Sequence, residues 1–297
     1  MPGHRFGGAW TEKKLDRLGN YLTQYRRIFT KHEGAKHLKT IYLDAFAGTG
    51  ERVQQVGDGA SMPLFEQDAE AFLDGSAKIA LALESPFDGY VFIDSKASHI
   101  RELRAMIDAD FPALAARCEV HKTDANSFLI DWCTSQEWRR QRAVVFLDPY
   151  GTDVKWATIE AIANTKAIDL WILFPAMAAS RIMPTKGTFG PGWEDRLTDL
   201  LGDSGWKDAL CTPRPEVDLF GGADESVKRT SDLKDIDGFF NKLLSTIFPG
   251  VAPVPEWLYN NSGSPLFLLC FAAGNEKGAP TAVRIAQHLL NPKVKSR

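Results

Sequence analysis

The chain has 297 residues, 44% of them hydrophobic and 25% charged, which is the composition of a globular protein long enough for one large core. Its formal charge of -3 excludes a globally basic nucleic-acid coat, although a local basic face is still allowed. No run approaches the roughly 20 apolar residues of a membrane span, and the opening MPGHRFGGAW lacks the apolar centre of a signal peptide, so a cytoplasmic protein is expected.

From about Trp10 to His37, Leu15, Leu18, Leu22, Tyr25 and Phe29 recur at steps of three and four, the spacing of one face of an amphipathic helix. Around that stripe lie Lys13, Lys14, Arg17, Arg26, Arg27, Lys31, Lys36 and Lys39, eight basic residues against the three acids Glu12, Asp16 and Glu33. Such an excess reads either as a solvated helix face or as a surface that meets phosphates. Lys14 lies near where this helix could meet a crevice, and surface exposure is expected for it as for most lysines.

Next comes Thr40 to Asp44, a short β-rich run that stops at a glycine-bearing turn, Ala45 to Gly50, as a buried parallel strand does before its loop. Tyr90 to Asp94, Cys118 to Lys122 and Ala143 to Asp148 repeat the pattern, with helices expected over Ser76 to Leu83, Ser98 to Asp108 and Ser127 to about Trp138. A helix from Trp156 to Asn164 then leads to a fifth strand, Asp169 to Phe174. This alternation predicts βαβ units and a mostly parallel, Rossmann-like α/β sheet. Further on, Glu256 to Asn260 and Leu266 to Phe271 are joined by only five residues, too few for a crossover, so a hairpin with one antiparallel strand near the end is expected. Two stretches stand outside the pattern as insertions: an acidic one at about 57–75, and one rich in Gly, Pro and Trp at about 181–231, with short helices at Trp193 to Leu201 and near Ser204 to Leu210. The chain is accordingly divided into an opening helix, 1–39, and a sheet-bearing unit, 40–297.

Four strands end in, or just before, an aspartate: Asp44, Asp94, Asp124 and Asp148. Ligands of doubly wound sheets bind outside the carboxyl ends of the strands, so these acids converge on one crevice. A single such Asp reads as a helix cap, but four in consecutive units point to a site. Gly48 and Gly50 allow close approach of a ligand to the backbone. Asp94 stands where nucleotide-binding sheets place an acid on ribose hydroxyls, and Asp124 offers an acceptor to the exocyclic amine of adenine. Phe46, Ser95 and Ala125 complete the candidate cofactor positions beside them. Asp148-Pro149-Tyr150-Gly151 joins an acceptor, a proline-directed carbonyl and an aromatic face suited to stacking a base, and these three are the candidate catalytic residues.

This ordered set, DAFAGTG, Asp94, Asp124 and DPYG, resembles class I S-adenosylmethionine-dependent methyltransferases. DPYG stands where amino-methylating members carry D-P-P-Y, lacks the second proline, and is closer to the D-P-F-G type of tRNA guanine-N2 methyltransferases. Over about Thr11 to Trp156, TEKKLDRLGNYLTQY, GSAKIALAL, FIDSKASHIREL and FLDPYGTDVKW are similar to the three-Cys-motif partner (TcmP) family. The methyltransferase resemblance implies S-adenosyl-L-methionine as cofactor; DPYG with the basic opening helix points to nucleic acid as substrate and methyl transfer to an exocyclic base amine; and the TcmP resemblance implies a separate cysteine-motif protein as partner and no assigned substrate. The chain's own Cys118, Cys133, Cys211 and Cys270 are scattered without a C-x-x-C pair, as reduced thiols outside a zinc or disulfide framework.

Two other readings compete. One is a partner-binding component that recognises nucleic acid without turnover, and the other an Mg²⁺ site built from the four aspartates for phosphoryl hydrolysis. Trp193 and Trp206 are expected to pack within the second insertion rather than stack bases. His99 and His121 lack metal-ligand spacing and are expected to be structural. Arg139, Arg140 and Arg142 either extend a basic face or flank a helix end.

Overall fold

A computed structural model describes residues 9–45, 75–149, 151–183, 189–202, 205–213, 216–217, 223–224, 227–229, 233–260 and 262–291. The candidate positions Phe46, Gly48, Gly50 and Tyr150, and nearly all of the acidic insertion, lie outside them.

Helix α1 (Ala9–Lys31) stops six residues before the expected His37. The chain there tightens into turns, with Ala35 N donating to His32 O and Leu38 N to Ala35 O, because it must reverse to enter β1 (Lys39–Ala45). Helix α2 is described over 75–81. Then follow β2 (Gly89–Asp94), α3 (Ala97–Asp110), β3 (Cys118–Lys122), α4 (Ala125–Ser135), β4 (Gln141–Leu147), α5 (Trp156–Asn164) and β5 (Ile168–Phe174). The alternation read from the sequence is therefore present, with boundaries moved by at most three residues.

The second half adds α6 (Ala176–Ile182), α7 (Trp193–Leu201), α8 (Gly205–Leu210), β6 (Cys211–Pro213), β7 (Glu216–Val217), β8 (Ala223–Asp224), β9 (Val227–Arg229), α9 (Leu233–Ile247), β10 (Gly250–Val251), β11 (Glu256–Tyr259), β12 (Pro265–Ala273) and α10 (Ala279–Leu290). The insertion's two helices fall where expected. Two small antiparallel ladders, β6 with β9 and β7 with β8, were not expected, since strands of two or three residues are too short for alternation to register.

The main sheet runs β10-β12-β5-β4-β1-β2-β3, and β11 also pairs with β12. Strands β1 to β5 are mutually parallel, whereas β12 is antiparallel to β5, β10 and β11. The antiparallel strand therefore sits inside the sheet rather than at its edge. This is the Rossmann-like α/β arrangement expected, with its N-terminal helix and helical insertion. All seven residues of β5 are buried because both faces are covered, as parallel sheets require. On one face Leu170, Ile172 and Phe174 meet Leu129, Ile159, Leu197 and Phe240. On the other, Trp171 and Leu173 meet Leu18, Leu22, Ala80, Leu103 and Ala286.

Helix α1 covers that second face with the predicted stripe. Leu18, Leu22 and Tyr25 are buried, and Leu15 and Phe29 pack against them. Tyr21, outside the predicted stripe, is also buried, and its hydroxyl donates to Asp169 Oδ2 at 2.6 Å. Much of the helix's positive charge turns inward. Arg26 is buried, donating to Thr40 Oγ1 and the Ser85 carbonyl beside Asp88, and Arg17 pairs with Glu256 at 3.0 Å. Lys13, Arg27, Lys31, Lys36 and Lys39 remain on the surface. Among the described residues no helix is long and apolar enough to cross a membrane, and all four cysteines are free thiols.

Candidate functional site

Parallel strands in the order β3-β2-β1-β4 place their carboxyl ends side by side, so Asp124, Asp94, Asp44 and Asp148 form a staggered row along that edge. By register Asp94 and Asp148 stand two positions beyond Asp44, and Asp124 two positions beyond Asp94. Asp44 pairs in register with Phe92 and Phe146, so it projects from the face covered by α1. By the same alternation Asp94 and Asp148, two positions beyond Phe92 and Phe146, take that side too.

Asp44 is fully buried, and Tyr42 donates to its Oδ2 at 3.1 Å. Burial pushes its carboxyl up to about 7; the Ser76 and Tyr42 hydroxyls pull it down, the neighbouring Asp148 raises it and Lys14 lowers it. Its other oxygen, Oδ1, has no hydrogen-bond partner among the described residues. Asp94 is likewise buried. Its Oδ1 accepts from Lys96 N at 2.6 Å, and its Oδ2 lies 2.9 Å from His99 Nδ1. Burial raises it to about 6, with the Lys96 amide and His99 opposing. His99 is thus structural in the sense expected, yet it grips a candidate site residue. The signal was an imidazole five positions past a strand-terminal acid, in the first turn of the next helix.

Asp124 is exposed and serves as the N-cap of α4, accepting from Ser127 N at 2.8 Å. That is the capping role of a lone strand-end Asp, and it engages Oδ2 alone. Ser95 is exposed and Ala125 buried. Beside them Asn126, absent from the sequence reading, is buried and bridges two segments. It donates to the Asp153 carbonyl at 2.8 Å and accepts from Lys155 N at 3.0 Å and Thr158 Oγ1 at 2.8 Å. The loop that follows Asp148 is thereby tied to the start of α4. Gly151 in that loop has φ +65°, the left-handed region that glycine enters without steric cost.

Asp148 and Pro149 lie just past β4. Burial pushes the Asp148 carboxyl up, and Lys14 draws it back. Contrary to the expectation for Lys14, its side chain is 2% exposed, and Nζ lies 3.0 Å from Asp148 Oδ2. The same ammonium lies 4.5 Å from the centroid of the Trp10 ring, which packs against Phe267 at 5.1 Å. A lysine is buried only when paired, and its partner here is 134 positions away.

In the insertion Trp206 is buried, donating to Thr198 Oγ1 at 3.2 Å, whereas Trp193 is 38% exposed. His121 lies beside Glu119 and packs on Phe128. Arg142 caps carbonyls of Trp138 and Gln141. Among the described residues no three His, Cys, Asp or Glu side chains gather as an ion would require.

No family model matches the chain, and no curated protein matches it. Solved structures of similar fold include protein LPL1258 of Legionella pneumophila, assigned to DUF519, at 13% identity and TM-score 0.42, covering 99% of this chain and 96% of that one. The methyltransferase domain of bacterial CtHen1-C is similar at 11% identity and TM-score 0.36, over 88% and 99% of the two chains. A dimethyladenosine transferase from Plasmodium falciparum is similar at 13% identity and TM-score 0.31, over 81% and 69%. The fold assignment rests on the strand order and pairing of this chain rather than on these likenesses.

Proposed function

We propose that the protein is an S-adenosylmethionine-dependent methyltransferase acting on nucleic acid, with an exocyclic base amine as acceptor. The observation that carries this reading is the row of four carboxylates at the carboxyl ends of β3, β2, β1 and β4, where α/β sheets bind ligands. When bound, S-adenosylmethionine supplies an already activated methyl group, so the task of the chain is to bind and position. Gly48, Gly50 and Phe46 would meet the cofactor after β1, Asp94 and Ser95 its ribose, and Asp124 and Ala125 its adenine. Asp44 Oδ1, which has no hydrogen-bond partner among the described residues, fits a ligand donor, because an orphaned buried acceptor is costly.

Asp148 and the Pro149 carbonyl would accept from the acceptor's N–H groups and aim its lone pair, and Tyr150 would stack on the base. For a base extruded from a duplex, that stacking offsets part of an unstacking cost of a few kcal/mol. The exposed cations of α1, Lys13, Arg27 and Lys31, support contact with phosphates. We read the opening helix 1–39 as one part of a chain whose remainder, 40–297, is a single methyltransferase-like unit.

Isothermal titration is expected to detect S-adenosylmethionine binding that Asp94→Ala abolishes, and labelled cofactor is expected to pass its methyl group to tRNA, rRNA or DNA but not in Asp148→Asn. Cofactor binding untouched by Asp94→Ala would remove this assignment of the site. A second reading, favoured by the exposed Trp193, is a component of a two-protein system that docks a cysteine-motif partner through the insertion. Cofactor binding without methyl transfer to any of the three nucleic acids would select it.

A further inference from the structure

We propose that Lys14 is a positioning residue of the acceptor site, holding the Asp148 carboxylate ionised from α1 and leaving Oδ1 as the oxygen offered to the substrate. This inference rests on the methyltransferase reading for the identity of the acceptor, but its electrostatic content does not.

Three observations support it. The first is geometric. Lys14 Nζ sits 3.0 Å from Oδ2, and among the described residues no other donor is recorded on Asp148. One oxygen is therefore taken by the chain, and the other is left to a ligand.

The second concerns what α1 needs for attachment. Extending the register of β4 by one residue puts Asp148 level with Leu173 of β5, and Leu173 pairs through Leu269 of β12 with Glu256 of β11. Asp148 and Glu256 therefore share one row and one face of the sheet, and Lys14 and Arg17, one helical turn apart, reach up to both. The Arg17–Glu256 pair is partly exposed and already joins α1 to that row. In the Lys14–Asp148 pair the cation is the more deeply buried, 2% exposed against 21% for Arg17, and desolvation of this kind makes an ion pair a poor tether. Its value is in fixing the carboxylate.

The third is the orientation of the ammonium. Trp10, braced by Phe267, lies 4.5 Å from Nζ, and this contact favours the charged lysine. Among the described residues, the charged and titratable groups around Asp148 are Lys14 from α1 and Asp44 and Tyr42 from β1. Both groups from β1 oppose ionisation of Asp148 when they are negative, so Lys14 is the member of this set that sustains it.

The test reads Asp148 directly. In protein labelled with ¹³C at aspartate γ-carboxyls, the Asp148 signal is identified by its loss in Asp148→Asn. Lys14→Met is expected to move its titration up by about one pH unit or more, whereas Lys14→Arg leaves it within about half a unit. The acid limb of kcat should move with the carboxylate. An unmoved Asp148 signal in folded Lys14→Met, or equal displacement by Lys14→Arg, overturns the proposal. Where Lys14→Met does not fold, the double variant Lys14→Met/Asp148→Asn, which removes both charges, is expected to fold; its failure would make the pair a packing element and sink the idea. Absence of cofactor binding in the unmodified chain removes the methyltransferase reading, and the carboxylate titration decides the Lys14 coupling without it.

Discussion

Asn126 stands two positions past Asp124, and its amide joins the start of α4 to the Asp153 and Lys155 backbone and the Thr158 hydroxyl through three hydrogen bonds. Removing a buried side chain of this kind leaves partners unsatisfied, at about 1 to 3 kcal/mol. Asn126→Ala is therefore expected to lower stability by roughly 2 kcal/mol, read as a shift of the urea midpoint at constant slope. A midpoint unchanged within error would show that the loop holds itself. Asp44, Asp94 and Asp148 could be read from the chain because each follows an apolar run, a local pattern, and Asp124 because it closes the next unit of the same alternation. Asn126 and Lys14 could not, since both act on partners brought near only by folding, 27 and 134 positions away. Lys14 was moreover read by its residue type, and the type's preference for water is overridden by one carboxylate.

At the scale of elements, the helices and strands of the βα alternation were legible, because burial on both faces imposes long apolar runs on the strands. Where α1 ends and where β12 inserts were not. The first depends on a reversal into β1, and the second on pairing between strands distant in sequence. Helix α1 is clamped to β5 by Tyr21, whose hydroxyl donates to Asp169. Burial pushes Asp169 up to about 7, against 3.8 for an ordinary aspartate, with the Tyr21 hydroxyl opposing. A carboxyl raised in the folded state holds a proton that the unfolded chain gives up earlier. Its contribution to stability is therefore complete below about pH 4 and lost as pH rises through about 7. Asp44 at about 7 and Asp94 at about 6 add slopes of the same sign. Asp169→Asn, which keeps an acceptor for Tyr21 and cannot ionise, is expected to gain on the parent chain by a few kcal/mol between pH 4 and 8. Chemical denaturation at several pH values measures the difference, and a parent chain that gains on the variant as pH rises would refute the assignment.

Across the whole molecule, one sheet holds two helical layers apart, and α1 closes the second layer over the carboxyl ends of β1 and β4. Beneath it the Lys14 ammonium is shared by the buried Asp44 and the partly buried Asp148, each of which feels it. With both acids ionised, these three described groups leave one negative charge uncompensated, and Asp44, raised to about 7, settles the balance by taking up a proton. A ligand that brings a positive sulfur to this crevice competes with that proton. On the proposed function, binding S-adenosylmethionine near pH 7 releases a fraction of a proton, whereas binding the demethylated product, whose sulfur is neutral, releases less. Titration calorimetry in buffers of different ionisation enthalpy reads the two numbers, and Asp44→Asn should abolish their difference. Equal proton release for both ligands would place the sulfur away from Asp44. Unequal release would make the crevice a charge sensor, telling the loaded cofactor from its spent form by an exchange of protons with water.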